Sequence, residues 1–307
     1  MGDYNPALPL RLQAVKPRTL RLYRLAFRHF NSFLWRRFAV RVSSVSVSNV
    51  DWYFERFIDD QARRGKGRDR QRCVMAMQGL FAELGEKFRT CLPASRRALN
   101  AWRKRVPPKS ALPIPESWCD VLVSVLLNKG KVSSGFALFL SFHGLLRPFE
   151  VLALRGNDLL PPSECSSSGG IRIRFGKTGA NQFSRIMEPT VLRVLQYLKY
   201  AHPGEERTFG DLNYSIYKAD LKWACRAMSL PVEFTPHSAR HGGATARFLA
   251  GDSPDVIRLA GRWSQMKSME TYLQGHSCLH LTLHPPPQFG WMFTTSLLLR
   301  SRLLSLV

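Results

Sequence analysis

The sequence predicts a mainly α protein with a small antiparallel β-sheet, arranged as two domains. Three observations carry that expectation. Apolar residues recur at three- and four-residue steps over most of the chain. Period-two alternation is confined to one short hairpin, and a proline-rich cationic stretch interrupts the helical pattern after residue 103. The 307 residues, 45% of them hydrophobic, suffice for a packed core in about two domains and exclude a wholly disordered chain.

The first domain is expected over residues 1–103. Residues 17–41 read as an amphipathic helix, with Leu20, Tyr23, Phe27, Phe30 and Leu34 forming the apolar stripe. Arg18, Arg21, Arg24 and Arg28 lie between them and face outward, and Thr19 is the expected capping residue after Pro17. Helices follow over 51–62, closed by Gly65-Lys66-Gly67, then over 69–85 and 93–103. Residues 104–115 hold four prolines among Lys104, Arg105 and Lys109, which cannot continue a helix. This segment reads as a linker that, extended and cationic, suits a phosphate backbone.

The second domain is expected over 116–275, opening with helices at 116–128 and 132–146. A short helix over 147–154 tolerates Pro148 in its first turn. Residues 161–170 read as a loop, 171–175 as a strand, 176–181 as its turn and 182–187 as the returning strand. Helices follow over 189–200, 212–229, 238–250 and 253–262, the last opened by Ser253-Pro254. The tail, 276–307, is apolar from Phe289 onward apart from Arg300 and Arg302, after the proline brake Pro285-Pro286-Pro287. The sequence leaves open whether it exchanges between subunits, lies at an interface or is poorly ordered.

The chain carries 45 Lys and Arg against 22 Asp and Glu, a net charge of +23, and 33 of those 45 cations are arginine. Residues 1–110 hold 24 of the cations and 8 of the acids, so the first third dominates the positive field. Arginine's planar fork suits bidentate phosphate contacts, and the balance points to nucleic acid as partner. Charge alone leaves DNA or RNA, and binding or chemistry, open; a solubilising, ribosome-associated or membrane-surface face would also be basic. Six scattered cysteines form neither a zinc framework nor a disulfide scaffold, and no apolar signal core or membrane-length run is present. An intracellular protein is expected. His276, His280 and His284 with Cys278 suggest zinc, but the prolines end the helix at once, so no metal or cofactor is assigned.

Arg147, Lys177, His237, Arg240, Trp263 and Tyr272 stand out by order and spacing. Singly each has an ordinary reading: a surface arginine, a lysine in a turn, a helix cap, core aromatics. His237 and Arg240 are three residues apart at a helix start, on one face, where both can converge on an anion beside the helix N-terminus. Trp263 then precedes Tyr272 by nine residues.

Together these residues resemble the tyrosine recombinase (phage integrase) family. Its Gly-x-x-Arg-x-x-Glu box is matched by Gly144, Arg147 and Glu150, and its hairpin lysine by Lys177. Its His-x-x-Arg block with a small-residue helix is matched by His237 through Arg247, and its tryptophan-to-tyrosine spacing by Trp263 and Tyr272. Pro148 and Ala239 depart from the commoner family residues. The resemblance implies a helical SAM-like core-binding domain followed by an α+β catalytic domain, acting without metal or cofactor on double-stranded DNA. A homo-oligomer, a tetramer, would assemble on that DNA, placing the protein in a eukaryotic nucleus or in the bacterial cytoplasm and nucleoid.

By resemblance, Tyr272 attacks the phosphodiester to form a 3′-phosphotyrosine, Arg147 and Arg240 clamp the non-bridging oxygens, and Lys177 protonates the leaving 5′-oxygen. His237 assists proton transfer or bonds the phosphate, and Trp263 packs against it or bonds it. Glu150 would orient an arginine, and His241 would hydrogen-bond behind the site. A mobile-element recombinase is the leading reading. A type IB topoisomerase-like enzyme, a non-catalytic DNA-binding remnant and an RNA-binding protein are the alternatives.

Overall fold

A computed structural model describes residues 15, 17–64, 67–85, 92–106, 111–176, 179–283 and 289–304. The chain divides into two compact units, Met1–Lys109 and Ser110–Val307.

The first unit contains helices α1 (Pro17–Phe38), α2 (Val47–Arg63), α3 (Gly67–Leu84) and α4 (Pro93–Arg105). Phe30, Phe54 and Phe57 meet at its centre with ring centroids 4.6–5.7 Å apart, surrounded by buried Leu34, Ile58 and Leu80. The four arginines on α1 that precede residue 30 all face outward. Two details of the first helix differ from expectation. Proline opens it, its fixed φ being suited to the first turn, so Thr19 lies inside the helix rather than capping it. It also stops at Phe38, where Ala39 turns to a φ of 54° and ends the helical path. The second helix begins earlier than expected, at Val47. Its Asp51 accepts from the backbone N–H groups of Ala94 and Ser95 at 2.8 and 2.9 Å, capping α4 from another helix.

The second unit begins with α5 (Glu116–Asn128), α6 (Val132–His143) and the single-turn α7 (Pro148–Val151). A three-stranded antiparallel sheet follows in the order β1 (Leu159–Leu160), β2 (Gly169–Gly176) and β3 (Gly179–Ile186). Ile171 pairs with Ser184 and Ile173 with Gln182. The period-two pattern buries Ile171 and Ile173 and turns Arg172 and Arg174 outward onto Asp158, at 3.0 and 2.6 Å. The first strand extends past the expected 171–175 at both ends, and the second starts before the expected 182 but ends at Ile186, one residue short of 187, because backbone pairing continues through residues whose side chains carry no alternation. Turn residues 177 and 178 lie outside the described residues.

Helices α8 (Pro189–Ala201), α9 (Tyr214–Ala227), α10 (Pro236–Leu249), α11 (Pro254–Ala260), α12 (Met266–Glu270), α13 (Gly275–Leu283) and α14 (Phe289–Leu304) complete the unit. Trp118, Leu122, Phe139, Val194, Leu195 and Tyr217 lie in one buried cluster drawn from α5, α6, α8 and α9. Helix α10 approaches its neighbours so closely that a Cβ on Gly242 would come within 2.2 Å of the Ile114 carbonyl. One on Gly243 would come within 2.0 Å of the Phe142 carbonyl. Both positions require glycine. The tail helix α14 packs on α5 and α8 of its own unit. Arg300 binds Asp120 at 2.7 Å and Glu116 at 3.1 Å, and Leu303 joins the core.

Candidate active site

The site starts where α6 ends. Leu145 takes a φ of 48°, a left-handed conformation that a branched side chain adopts at a cost of about 1–3 kcal/mol. Its carbonyl accepts from two buried guanidiniums, those of Arg240 and Arg262, which holds the turn in place. The chain then reaches Arg147, the residue before α7, and Pro148 sets the first turn. Three residues on, the Glu150 carboxylate accepts from the Arg147 backbone N–H at 2.8 Å and from its guanidinium at 2.7 Å. Glu150 also accepts from Arg262 at 3.1 Å and lies 3.9 Å from Arg240. Burial raises its pKa, but the Arg147 N–H and the neighbouring guanidiniums outweigh that and hold it below the ordinary value.

Helix α10 supplies the next groups. Thr235 and Ser238 bond across its first turn, the Thr235 N–H donating to the Ser238 hydroxyl at 3.0 Å. His237 is exposed, while Arg240, one turn on, is fully buried. Arg240 donates to the carbonyls of Leu145 and Gly261, the latter at 2.5 Å, and its Cζ lies 4.1 Å from the Trp263 ring centre. Burial and the charges of Arg147 and Arg262 push its pKa below the usual arginine value. Partial desolvation by the surrounding site, although part of the ring reaches solvent, and then the charges of Arg240 and Arg147 likewise lower that of His237.

The third segment runs from α11 to α13. Gly261 lets the chain fold back over Trp263, since a Cβ there would fall within 1.6 Å of the indole. Tyr272 follows α12, its backbone carbonyl held by the Thr245 hydroxyl at 3.0 Å. Its ring stacks on His241 (4.0 Å, 22°), meets Trp263 edge-on at 4.9 Å and lies 5.5 Å from the Arg240 Cζ. The Gln274 side-chain amide lies 3.2 Å from His241 Nδ1 and donates to the Ala111 carbonyl at 3.1 Å.

Burial, with His237 and Arg240 nearby, lowers His241 to about 4. The folded protein therefore keeps this ring neutral where an unfolded histidine, near 6.5, takes up a proton. Its contribution is present above about pH 6.5 and is lost as pH falls toward 4. Urea denaturation at pH 7 and pH 4.5 should show the wild type losing on the order of 2–3 kcal/mol more than His241→Phe, which keeps the stacked ring without the titration.

The structure thus brings Arg147, His237, Arg240, Trp263 and Tyr272 together, with Glu150 and His241 behind them. Lys177 lies outside the described residues. Of the nearby hairpin arginines, Arg172 and Arg174 are engaged by Asp158, and Arg185 is exposed. Sequence reasoning missed Arg262. It was visible only as the residue before Trp263, and its left-handed φ of 58° and its bond to Glu150, 112 positions away, leave no local signature. Among the described residues no group of three His, Cys, Asp or Glu side chains could hold a metal ion. No described helix is long and apolar enough to cross a membrane.

No protein-family model matches the sequence, and no curated protein matches it. Solved structures do. The XerH site-specific recombinase bound to a palindromic difH substrate is 13% identical, with a TM-score of 0.55, over 87% of this chain and 78% of that one. The Tn1549 transposon integrase in complex with a circular intermediate DNA is 14% identical, with a TM-score of 0.55, over 87% of this chain and 99% of that one. The fold is that of the tyrosine recombinases.

Proposed function

We propose that this protein is a DNA strand-exchange enzyme, a site-specific recombinase that cuts and rejoins duplex DNA through Tyr272. The observation that supports it most is the convergence of two buried arginines, an exposed histidine and a tyrosine from three separated segments, all within one unit. The XerH and Tn1549 structures, both determined with DNA, support nucleic acid as the substrate class.

In this reading the Tyr272 phenol oxygen forms a bond to phosphorus as the bond to the 5′-oxygen breaks. The phenolic proton leaves toward His237 or solvent, and the 5′-oxygen takes a proton from Lys177. Arg147 and Arg240 neutralise the charge that grows on the non-bridging oxygens, where fixed positive groups act most strongly. Glu150 and Arg262 keep both guanidiniums in place, and Trp263 backs Arg240. Because the rings of Tyr272 and Trp263 cover Arg240, substrate engagement requires the tyrosine ring to move off it. The phosphotyrosine conserves the phosphodiester energy, so rejoining needs no nucleotide cofactor. The basic helical unit supplies phosphate contacts, copies of the chain assemble on paired DNA sites, and a mobile element is the source this activity suits.

Nicked duplexes that lose a short fragment on cleavage test the proposal. In the presence of EDTA the wild type should accumulate a covalent protein–DNA adduct, and Tyr272→Phe should form none. DNA binding without adduct from either protein would identify a non-catalytic remnant. Relaxation of supercoiled plasmid without site preference would identify a topoisomerase-like enzyme, and preference for single-stranded RNA would remove DNA as the substrate.

A further inference from the structure

We propose that a groove along α2, in the first unit, binds an unpaired DNA strand, with a base on Trp52 and phosphates on the arginines that follow it. The proposal rests on the reading that DNA is the partner and adds a site that does not include Tyr272.

The groove, about 500 Å³, is lined by the last turns of α1 and by α2. Five arginines and only two aspartates line it. Arg64 is neutralised by Asp60 at 3.0 Å, whereas Arg37, Arg56 and Arg63 have no carboxylate partner among the described residues. Trp52, Arg56 and Arg63 fall at i, i+4 and i+11, one face of a helix, and mark out about 16 Å along its axis. Cations in such a row neutralise successive phosphates of one strand.

The aromatic end decides which form of DNA fits. Trp52 is 47% exposed, and Phe38 lies beside it at 5.6 Å. The Arg56 guanidinium sits over the Trp52 ring at 5.1 Å, and Tyr53 meets it edge-on at 5.0 Å. Phosphate contacts alone would position a duplex without any aromatic surface, because paired bases are stacked within the helix. A half-exposed indole beside arginines that have no carboxylate partner among the described residues gains contact with a base that has left the stack, where an aromatic platform adds to a cationic track. A strand-exchange reaction generates such unpaired nucleotides, which gives the groove a ligand within the proposed chemistry.

Fluorescence anisotropy on the full-length Tyr272→Phe protein, which cannot cleave, tests this with a labelled oligothymidine strand and a blunt duplex of equal length. Adding Trp52→Ala should weaken the strand at least about fivefold and change duplex affinity far less. The strand should also quench tryptophan emission, and Trp52→Ala should lose that quenching. In case Trp52→Ala perturbs the fold, the pair Arg56→Gln and Arg63→Gln, both outside the core, provides a second reading. It should make the log–log salt slope for the strand shallower by about 1.4 while leaving the duplex slope nearly unchanged. Equal losses for strand and duplex would show a general phosphate face, and no loss for either would remove the groove as a site; both overturn the proposal. Adduct formation by the wild type is scored separately. Its absence would defeat the Tyr272 reading and leave the strand measurement standing.

Discussion

Glu150→Ala should lower the stability of the catalytic unit by about 3–5 kcal/mol, the usual consequence of leaving a buried charge without its partner. Glu150 has no exposed side-chain surface and is the shared acceptor for Arg147 and Arg262, with Arg240 3.9 Å away. Removing it leaves three guanidiniums crowded with no carboxylate between them. Domain stabilities are only about 5–15 kcal/mol, so much of the variant should be unfolded or insoluble at physiological temperature. In a thermal melt the midpoint should fall by roughly 6–20 °C. Glu150→Gln separates charge from shape: it fills the same space, and it should still lose most of that stability. A melt unchanged for both variants would mean that the carboxylate does not organise the arginines.

Arg240→Ala should reduce the rate of adduct formation by about 10²–10³-fold or more, the range seen when one positioned donor to a reacting oxyanion is removed. Arg240→Lys should recover little, because an ammonium cannot reproduce the planar fork that reaches both the Leu145 and Gly261 carbonyls. Losing the fork also leaves the buried Gly261 carbonyl short of a donor, at about 1–3 kcal/mol, while the Leu145 carbonyl keeps Arg262. The rate must therefore be normalised to folded protein, for example by circular dichroism at the assay temperature. A normalised rate within about twofold of wild type, against the scale of such donor losses, would assign Arg240 to structure alone.

How much of this arrangement the sequence discloses depends on the range of the interaction. Periodicity and prolines mark α5, α8 and the start of α11 closely, since Pro189 and Ser253-Pro254 act within one turn. The hairpin was readable from Ile171 and Ile173, and the segment bearing His237 and Arg240 from its spacing. What escaped notice depends on distant partners. Leu145 and Arg262 bend into left-handed conformations beside their shared contacts; Gly144 and Gly261 precede them, but neither leucine nor arginine is a residue type that signals a positive φ. The cap on α4 comes from Asp51 on another helix, and β1 is two residues long and exists only by pairing with β2. The tail was undecidable by composition. Its docking depends on Arg300 meeting Asp120, 180 positions earlier. The same pairing limits the rise in the Asp120 pKa, which burial takes to about 6.

Peptide mapping of the trapped adduct tests the central claim most directly. After protease digestion and nuclease trimming, mass spectrometry should find a nucleotide joined through its 3′-phosphate to the peptide that contains Tyr272, with a free 5′-hydroxyl on the released strand. Linkage to any other residue, attachment through a 5′-phosphate, or a digest in which the Tyr272 peptide stays wholly unmodified would contradict it.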